Sequence, residues 1–418
     1  MLIEAFMTKS MIIITSSIVF IEWVEFSLYM YLGIKISSIF FSADLGHYKL
    51  ILTYAIFSIS YLSRPVGGYL FGLYSDKKGR RHPLITSSFL MGLSTITIGL
   101  IPSYQQIGIT APILLLIFRL IQSLSISGEF NNSSIFLMEH NPVQQTFAGS
   151  WAGMASSAGM FVGGLIAFII GLTNNLWSWR VAYIAIGTTS LLLMLLRYKL
   201  QESPLFININ KADLPDFSLK KMFFNYKKGL LKIACISTFM SVYIYTCNIY
   251  FVSYLVQKAH FSLGKASLYM TIVQAFVTIL IPLISYLNKV SLKKILQICI
   301  ILMCITAPVL FYSAPYQSEK MLITGLILYV ISNSGISAVV FAYMYNCLPT
   351  KYRCTGTGLT WNLCSTIFGS TSPIIASIFV SQGYIEIPVL YIALIGLITI
   401  VSLNIKQAIK IIPSKIKI

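Results

Sequence analysis

The sequence is poor in charged residues. Only 10% of its 418 residues are charged, with 12 acids against 30 bases, whereas 56% are hydrophobic and the mean hydropathy is +0.80. Soluble globular domains carry about 25% charged residues. So few charges cannot cover a soluble globule of this length, which excludes that class and indicates a polytopic membrane protein.

The sequence also lacks the spacings that bind metals, pair cysteines or support nucleophilic catalysis. All seven cysteines lie in the second half of the chain, no two of them form a C-x-x-C pair, and the four histidines are scattered. No H-E-x-x-H motif, nucleophile–histidine pairing or phosphate-binding loop occurs. We therefore expect no disulfide framework, no metal site, no cofactor and no enzymatic activity.

The net charge of +18 would suit a nucleic-acid-binding protein, but the bases are not gathered on one surface. Most of them lie in short segments between apolar runs, which is typical of the cytoplasmic loops of membrane proteins. The distribution predicts cytoplasmic N and C termini and loops that contact anionic lipid headgroups. We expect a lipid bilayer as the partner of these loops and no nucleic acid.

Twelve apolar runs reach the roughly 20 residues that a helix needs to cross the hydrocarbon core. Six fall in an N-terminal half, residues 1–196, and six in a C-terminal half, residues 230–418, which ends in a short basic tail. The polar segment 197–229 is typical of a cytoplasmic linker. The predicted spans are 12–40, 50–73, 84–101, 112–138, 148–172, 179–196, 230–256, 266–287, 295–312, 321–346, 354–380 and 387–405.

An internal repeat supports the division into halves. The segment from Pro142 to Gly149 recurs as Pro349 to Gly356, and Ser127-Gly128 recurs as Ser334-Gly335 at the same offset. Parallel repeats about an axis along the membrane normal occur in one class of transporters. The sequence therefore predicts an all-α membrane protein of twelve transmembrane helices in two pseudo-symmetric six-helix halves.

Ionisable side chains inside the predicted spans are the first candidates for function, because each costs about 2.5–3.5 kcal/mol to insert. The spans of the C-terminal half hold no acid, so a proton-carrying group should lie in the first half. That half contains Glu22 and Glu25 on the first span, Arg64 on the second, and Arg119 and Glu129 on the fourth.

Glu22 and Glu25 are three residues apart and share one helix face near the middle of the membrane, which Tyr29 continues. Two carboxylates this close in a low dielectric do not both ionise easily, which suits groups that take up and release a proton. The alternative is a Glu–Arg pair that only holds helices together.

On the fourth span, Gln122 and Glu129 lie seven residues apart on one face, near Arg119. The guanidinium fork of Arg119 suits a carboxylate, which is Glu22, Glu25 or a group on a substrate. The alternative is a permanent salt bridge. Aromatic rings can hold a quaternary ammonium, although core packing is the alternative for each. The candidate cavity residues of the second half are Tyr243, Tyr250, Trp361 and Asn362.

A short cationic turn joins two apolar runs between Gly67 and Leu84, and it indicates a cytoplasmic hairpin between the second and third spans. Its pattern, Gly-x-x-x-Asp-(Arg/Lys)-x-Gly-Arg-(Arg/Lys), resembles the signature loop of major facilitator superfamily transporters. A weaker copy runs from Asn288 to Lys293, where Asn288 takes the place of Asp76.

We expect the hairpin to act as a latch that holds the cytoplasmic gate shut in one state, besides serving as a topology signal. Asp76 lies near the start of the third helix, whose positive end favours a carboxylate. Because the copy carries Asn288, the latch should be built mainly from the first half. The latch residues are Gly72, Asp76, Gly79, Arg80 and Arg81.

Further motifs resemble the metabolite:proton symporter subfamily of that superfamily, and most of all its proline/glycine-betaine transporters. Glu25 departs from the subfamily, which usually has Asp there. The stretches that carry the resemblance are Glu22-Trp23-x-Glu25-Phe26-x-x-Tyr29, Arg64-Pro65-x-Gly67-Gly68, Ile101-Pro102-Ser103-Tyr104, Ser127-Gly128-Glu129-Phe130, Gly149-Ser150-Trp151, Trp179-Arg180, Glu202-Ser203-Pro204 and Pro349-Thr350-x-x-Arg353-x-Thr355-Gly356.

The resemblance implies a secondary active transporter that imports a small zwitterion by proton symport and alternating access, as a monomer in a bacterial inner membrane. A proton-coupled dicarboxylate carrier, of the 2-oxoglutarate type, is the alternative. A membrane receptor that binds without transport is a more distant one.

Overall fold

The computed structural model describes residues 9–46, 48–172, 177–208, 218–316 and 318–405. In these residues the chain is helical, and no strand occurs among them. The first half of the bundle consists of α1 (Lys9–Tyr31), α2 (Gly33–Phe40), α3 (Tyr48–Tyr61), α4 (Arg64–Lys78), α5 (Arg81–Leu100), α6 (Tyr104–Ile107), α7 (Thr110–His140), α8 (Gln145–Leu172) and α9 (Ser178–Arg197).

The linker carries two short helices, and the second half follows. These elements are α10 (Pro204–Ile207), α11 (Leu219–Asn225), α12 (Lys227–Ile244), α13 (Phe251–Lys258), α14 (Leu263–Leu287), α15 (Leu292–Ser313), α16 (Glu319–Tyr345), α17 (Arg353–Cys364), α18 (Ser372–Ser381) and α19 (Glu386–Asn404). The predicted basic tail from Lys406 onward lies outside the described residues.

Within the described residues, eleven segments are long and apolar enough to cross a membrane. The predicted second span is the twelfth, and a turn at Leu62 and Ser63 divides it into α3 and α4. Pro65 explains the division, because it has no N–H to donate to the carbonyl of Tyr61 one turn earlier. That carbonyl instead accepts a hydrogen bond from Oγ1 of Thr366, in the other half, at 3.1 Å.

Two seams join the halves. In one, α4 packs against α17; in the other, α8 packs against α14 and α16. Small residues allow the first seam to close, since a Cβ on Gly68 would lie 2.5 Å from the carbonyl oxygen of Gly358. A Cβ on Gly72 would lie 2.6 Å from Cα of Thr355. Gly72 therefore serves the approach of the two halves.

The two ends of the second span belong to different surroundings. We call the side of the bundle that carries Lys77, Lys78, Arg80 and Arg81 the basic side, and it is there that α4 meets α17. Toward the opposite side, α3 packs mainly on α2 and α7 of its own half.

Two spans of the second half contain a π-helical turn near their middle, Tyr245–Tyr250 between α12 and α13, and Ser365–Gly369 between α17 and α18. The two spans meet where Oγ of Ser241, on α12, lies 2.7 Å from Oγ of Ser365, in the second π-helical turn. Such turns are frequent at functional sites because they shift side chains around the helix axis.

Candidate functional site

An ion pair between Arg119 of α7 and Glu25 of α1 lies buried in the first half. Nη1 of Arg119 donates to Oε1 of Glu25 at 2.6 Å and also to Oε1 of Gln122. Gln122 donates in turn to Oγ1 of Thr95 at 2.8 Å. The guanidinium stands 3.6 Å from the ring centroid of Tyr29. The predicted residues Glu25, Tyr29, Arg119 and Gln122 therefore form one cluster, in which Glu25 is the carboxylate that Arg119 holds.

Two polar atoms of the Glu25–Arg119 ion pair have no hydrogen-bond partner. Oε2 of Glu25 and Nε of Arg119 are buried and make no hydrogen bond. A buried polar atom without a partner costs about 1–3 kcal/mol. The cluster thus has free bonding capacity that a proton or a ligand atom can take up.

Glu22 lies one turn from Glu25 and is only 2% exposed. Among the described residues, no cationic nitrogen lies within 4.0 Å of its carboxylate, and its Oε2 makes no hydrogen bond. The charges that act on it belong to Glu129, Arg64, Arg197 and Glu25. Of the two predicted acids, only Glu25 is therefore paired with an arginine.

Glu129 is paired elsewhere, with Arg197 at the end of α9. Nη1 of Arg197 donates to Oε2 at 2.8 Å and Nη2 to Oε1 at 2.5 Å. Ser87 and Ser133 also donate to the carboxylate, at 2.8 and 2.6 Å. The sequence placed Arg197 in the linker, whereas here it is fully buried in the first half. Gln122 and Glu129 thus serve two separate ion pairs.

A small cavity, which we call the central cavity, lies between α7 and the second span. It leaves about 10 Å³ for the centre of a water molecule, which is room for about one water. An amino-acid-sized solute does not fit in this conformation. The lining residues are Glu25, Phe26, Phe57, Ser60, Tyr61, Arg64, Arg119, Gln122, Ser123 and Ile126.

Arg64 and Tyr61 border the central cavity where the two halves meet. The guanidinium of Arg64 stands 3.9 Å from the ring centroid of Tyr61, and its Nε donates to Oγ of Ser123 at 3.4 Å. The hydroxyl of Tyr61 is hydrogen-bonded to the hydroxyl of Tyr245, in the π-helical turn of the second half. A contact between the halves therefore lies beside the cavity.

The predicted aromatic residues of the seventh span lie away from this cavity. Tyr243 stacks on Tyr329 with ring centroids 5.5 Å apart, and Tyr250 packs beside Phe311 at 6.4 Å, both in the core of the second half. Tyr245 is the ring that reaches the first half. Tyr245 follows Tyr243 by two residues and therefore lies on another face of the helix from the predicted tyrosines.

Trp361 and Asn362 lie on α17 at the seam with the first half. The ring of Trp361 packs 6.2 Å from those of Phe130 and Phe341. Nδ2 of Asn362 donates to the carbonyl of Ser127, on α7, at 3.2 Å. In this structure both residues hold helices together and neither lines the central cavity.

On the basic side, Asp76 binds the first turn of α17. Its Oδ1 accepts from the backbone N–H of Cys354 at 3.2 Å, and its Oδ2 accepts from the backbone N–H and the hydroxyl of Thr355, both at 2.8 Å. The positive end of a helix favours such a carboxylate. The sequence predicted that this helix end would be the start of the third span; it is the start of α17, in the other half.

Arg80 extends this contact into a buried network. Its Nε and Nη2 donate to Glu139 at 3.1 and 3.2 Å, and its Nη1 donates to Asp76 at 3.1 Å. Nη2 also donates to the carbonyl of Thr350, and Arg353 donates to Glu139 at 3.1 Å, so the network crosses between the halves. Sequence reasoning missed Glu139, because the predicted span stopped one residue before it. An acid at the end of an apolar run, on the side that carries the bases, was the available signal.

The linker packs against the same network of buried charges. Glu202 accepts from the backbone N–H groups of Arg80 and Arg81 at 2.7 and 3.1 Å, and it thereby caps α5. Gly79 has a φ of +103°, and a Cβ there would meet the Glu202 carboxylate, so this position requires glycine. The side chain of Arg81 donates to the carbonyl of Tyr198. Gly79 and Arg81 thus fix the linker, whereas Asp76 and Arg80 reach the second half.

Two family descriptions match the sequence. "Sugar (and other) transporter" matches residues 16–221, and "Major Facilitator Superfamily" matches residues 234–407. The "Proline/betaine transporter" of Escherichia coli (strain K12) is 28% identical over 403 residues, which cover 92% of this chain and 81% of that protein. The "Glycine betaine/proline/ectoine/pipecolic acid transporter OusA" of Dickeya dadantii is 30% identical, over 90% of this chain and 79% of that protein.

Solved structures share the fold at low sequence identity. The proton:xylose symporter XylE, bound to 6-bromo-6-deoxy-D-glucose, superposes with a TM-score of 0.76 at 14% identity and covers 94% of both chains. The human organic anion transporter MFSD10 gives a TM-score of 0.73 at 13% identity and covers 95% of this chain and 99% of its own. These likenesses confirm the predicted twelve-helix fold.

Proposed function

Because this chain belongs to the major facilitator superfamily of membrane transporters, we propose that it imports a small zwitterionic solute, of the proline or betaine type, by proton symport. The single observation that carries the proposal is the composition of the central cavity. It brings guanidinium groups, a carboxylate and aromatic rings of the first half together, and one of these rings, Tyr61, contacts Tyr245 of the second half. The names of the relatives at 28–30% identity point to the same class of solute.

The charges of the central cavity favour a zwitterion over a dicarboxylate. In this conformation Arg119 is neutralised by Glu25, and Arg64 is the cation of the cavity that no carboxylate contacts. A dicarboxylate needs two available cations, whereas a zwitterion needs one cation and a surface that accepts its ammonium group. The rings of Phe57 and Tyr61 can provide that surface by cation–π attraction. A 2-oxoglutarate carrier stays the alternative, and competition with labelled proline or betaine separates the two.

In the proposed cycle, Glu22 and Glu25 carry the proton. Protonation of Glu25 would weaken its hold on Arg119, because the attraction between the two depends on the carboxylate charge. Glu22 has no cation in contact and is buried at the same level, so it is the second candidate. Both acids lie on α1, and Glu25 lines the cavity that the solute must enter.

Alternating access requires a gate on each side of the cavity. We assign the network of Asp76, Arg80, Glu139 and Arg353 to the gate on the basic side. Under the proposed orientation, with both termini in the cytoplasm of a bacterial cell, this is the cytoplasmic gate. This gate is closed in the structure, so the cavity would open next toward the opposite side of the bundle.

The test is uptake of labelled proline and glycine betaine by proteoliposomes under an imposed pH gradient. Accumulation that a protonophore abolishes supports proton symport. Glu25→Gln and Glu22→Gln should lose gradient-driven accumulation while still exchanging label across the membrane at equal pH. Unchanged accumulation by both variants would contradict the assigned proton role, and saturable binding without accumulation would favour the receptor.

A further inference from the structure

Arg64 borders the central cavity without a carboxylate partner. The other arginine of the cavity, Arg119, is held by Glu25 at 2.6 Å. Across the described residues, no carboxylate oxygen lies within 4.0 Å of the guanidinium of Arg64. Its contacts are the ring of Tyr61 and one long hydrogen bond to Ser123. Arg119 is therefore paired with a carboxylate, whereas no carboxylate contacts Arg64.

The backbone places Arg64 at the centre of the bundle. It is the first residue of α4, directly after the break in the second span. The break also releases the carbonyl of Tyr61 toward Thr366 of the other half, and the Tyr61 hydroxyl contacts Tyr245. Arg64 thus lies at mid-span, where the halves meet and where separating them would enlarge the cavity.

An arginine in this place is expensive to keep when no carboxylate contacts it, and the Glu22 carboxylate acts on Arg64 only from beyond contact distance. A cation at the centre of a span costs about 2.5–3.5 kcal/mol even by the lower scales. Its planar fork matches a carboxylate in bidentate geometry, which gives directed binding as well as attraction. A ligand carboxylate is therefore the group that would complete the surroundings of Arg64.

We propose that Arg64, rather than Arg119, binds the carboxylate of the transported zwitterion. This inference rests on the proposed function and assigns the anionic end of its substrate. The ammonium end then lies against the rings of Phe57 and Tyr61, which line the cavity and pack against each other. The competing role for Arg64 is structural, in which it only braces α4 against α7 through Ser123.

Equilibrium binding of labelled glycine betaine to the purified full chain in nanodiscs tests the assignment. Choline serves as the matched probe, since it keeps the quaternary ammonium and lacks the carboxylate. Arg64→Gln should weaken betaine binding about tenfold or more and leave the affinity for choline within about twofold of the unaltered protein. Arg180→Gln is the control variant, because Arg180 binds the carbonyls of Gly99 and Ile101 away from the cavity.

The outcomes separate the possible failures. If the unaltered protein binds betaine and Arg64→Gln binds it equally well, the assignment of Arg64 is wrong and the proposed function stands. Equal losses for betaine and choline in Arg64→Gln would also overturn the assignment, since they indicate a structural role. If the unaltered protein binds neither betaine nor proline, the proposed substrate class fails and the assignment fails with it.

Arg64→Lys keeps the assignment testable if the glutamine variant does not fold. Lysine retains the charge but loses the bidentate fork. It should therefore weaken betaine binding about threefold to tenfold, again without a matching change for choline. An affinity for betaine equal to that of the unaltered protein would contradict a carboxylate held by the fork of Arg64.

Discussion

The two seams that join the halves occupy corresponding places in the pseudo-symmetric fold and differ in chemistry. The α4–α17 seam is built on buried charges, in which Asp76, Arg80, Glu139 and Arg353 pair with one another. The α8–α14 seam is neutral: Oγ of Ser150 lies 2.8 Å from Oγ of Ser285, and the rings of Phe147 and Tyr286 meet at 5.9 Å.

The copy of the hairpin in the second half explains the difference. Asn288, in the place of Asp76, is a half-buried residue whose Oδ1 accepts from the backbone N–H of Val290 in its own turn, at 2.8 Å. It makes no ion pair, since asparagine carries no charge. The latch predicted from the sequence thus has a charged copy and a neutral copy. The free energy for opening the basic side should therefore depend far more on α4–α17 than on α8–α14.

Of the variants that test this comparison, Glu139→Gln should have the largest effect. It removes the carboxylate that Arg80 and Arg353 share, and breaking such a buried pair costs about 3–5 kcal/mol. We expect a lower unfolding temperature, and maleimide labelling of Cys354, which is fully buried behind Asp76. Peptide mapping locates the label. The exposed acid at the start of α19 supplies the control, Glu386→Gln, which should change neither measurement. An unlabelled Cys354 and an unchanged unfolding temperature in Glu139→Gln would mean that the seam does not depend on its charges.

Asp76→Asn should have the next largest effect. The variant keeps the shape of the side chain but loses the charge that three donors of α17 bind, and hydrogen bonds to a charged group contribute about 1.5–3 kcal/mol. Partial labelling of Cys354 and a changed rate of solute uptake are expected. Should both stay at the level of the unaltered protein, the latch role would fail and only the topology signal would remain.

Ser150→Ala, in the neutral seam, should have the smallest effect. It removes one neutral hydrogen bond, to Ser285, worth about 0.5–1.5 kcal/mol. Uptake rate and unfolding temperature should change less than in Asp76→Asn, measured in the same preparation. A larger change in Ser150→Ala would reverse the comparison and place the main closing contact at α8–α14.

Much of the fold follows from hydropathy, charge and repeats, because the length of an apolar run and the placement of bases are local properties. Hydropathy also marked Glu25 and Arg119 as costly residues that need partners. Their pairing was one of several possibilities, since the choice between Glu22 and Glu25 depends on how α1 is rotated against α7.

The rest depended on tertiary structure. The partner of Asp76 lies 278 residues away in the chain, so the sequence could suggest a helix end but not which one. In the sequence Arg197 resembles a linker residue because bases follow it, yet it lies inside the bundle, where it forms an ion pair with Glu129. The π-helical turn at Tyr245–Tyr250 shifts the residues that follow it around the helix axis, and helical spacing does not reveal such a turn.

The break before Arg64 gives α4 a mechanical meaning. This helix carries Arg64 at its first residue and Asp76 near its other end, about 18 Å away at 1.5 Å per residue. Between them it is one uninterrupted helix, which the turn at Leu62 and Ser63 joins to α3 and which packs on α17 at Gly68 and Gly72. We therefore expect a movement of Arg64 on substrate binding to displace Asp76 as well. The helix α4 thus connects Arg64, at mid-span, to Asp76 of the latch on the basic side.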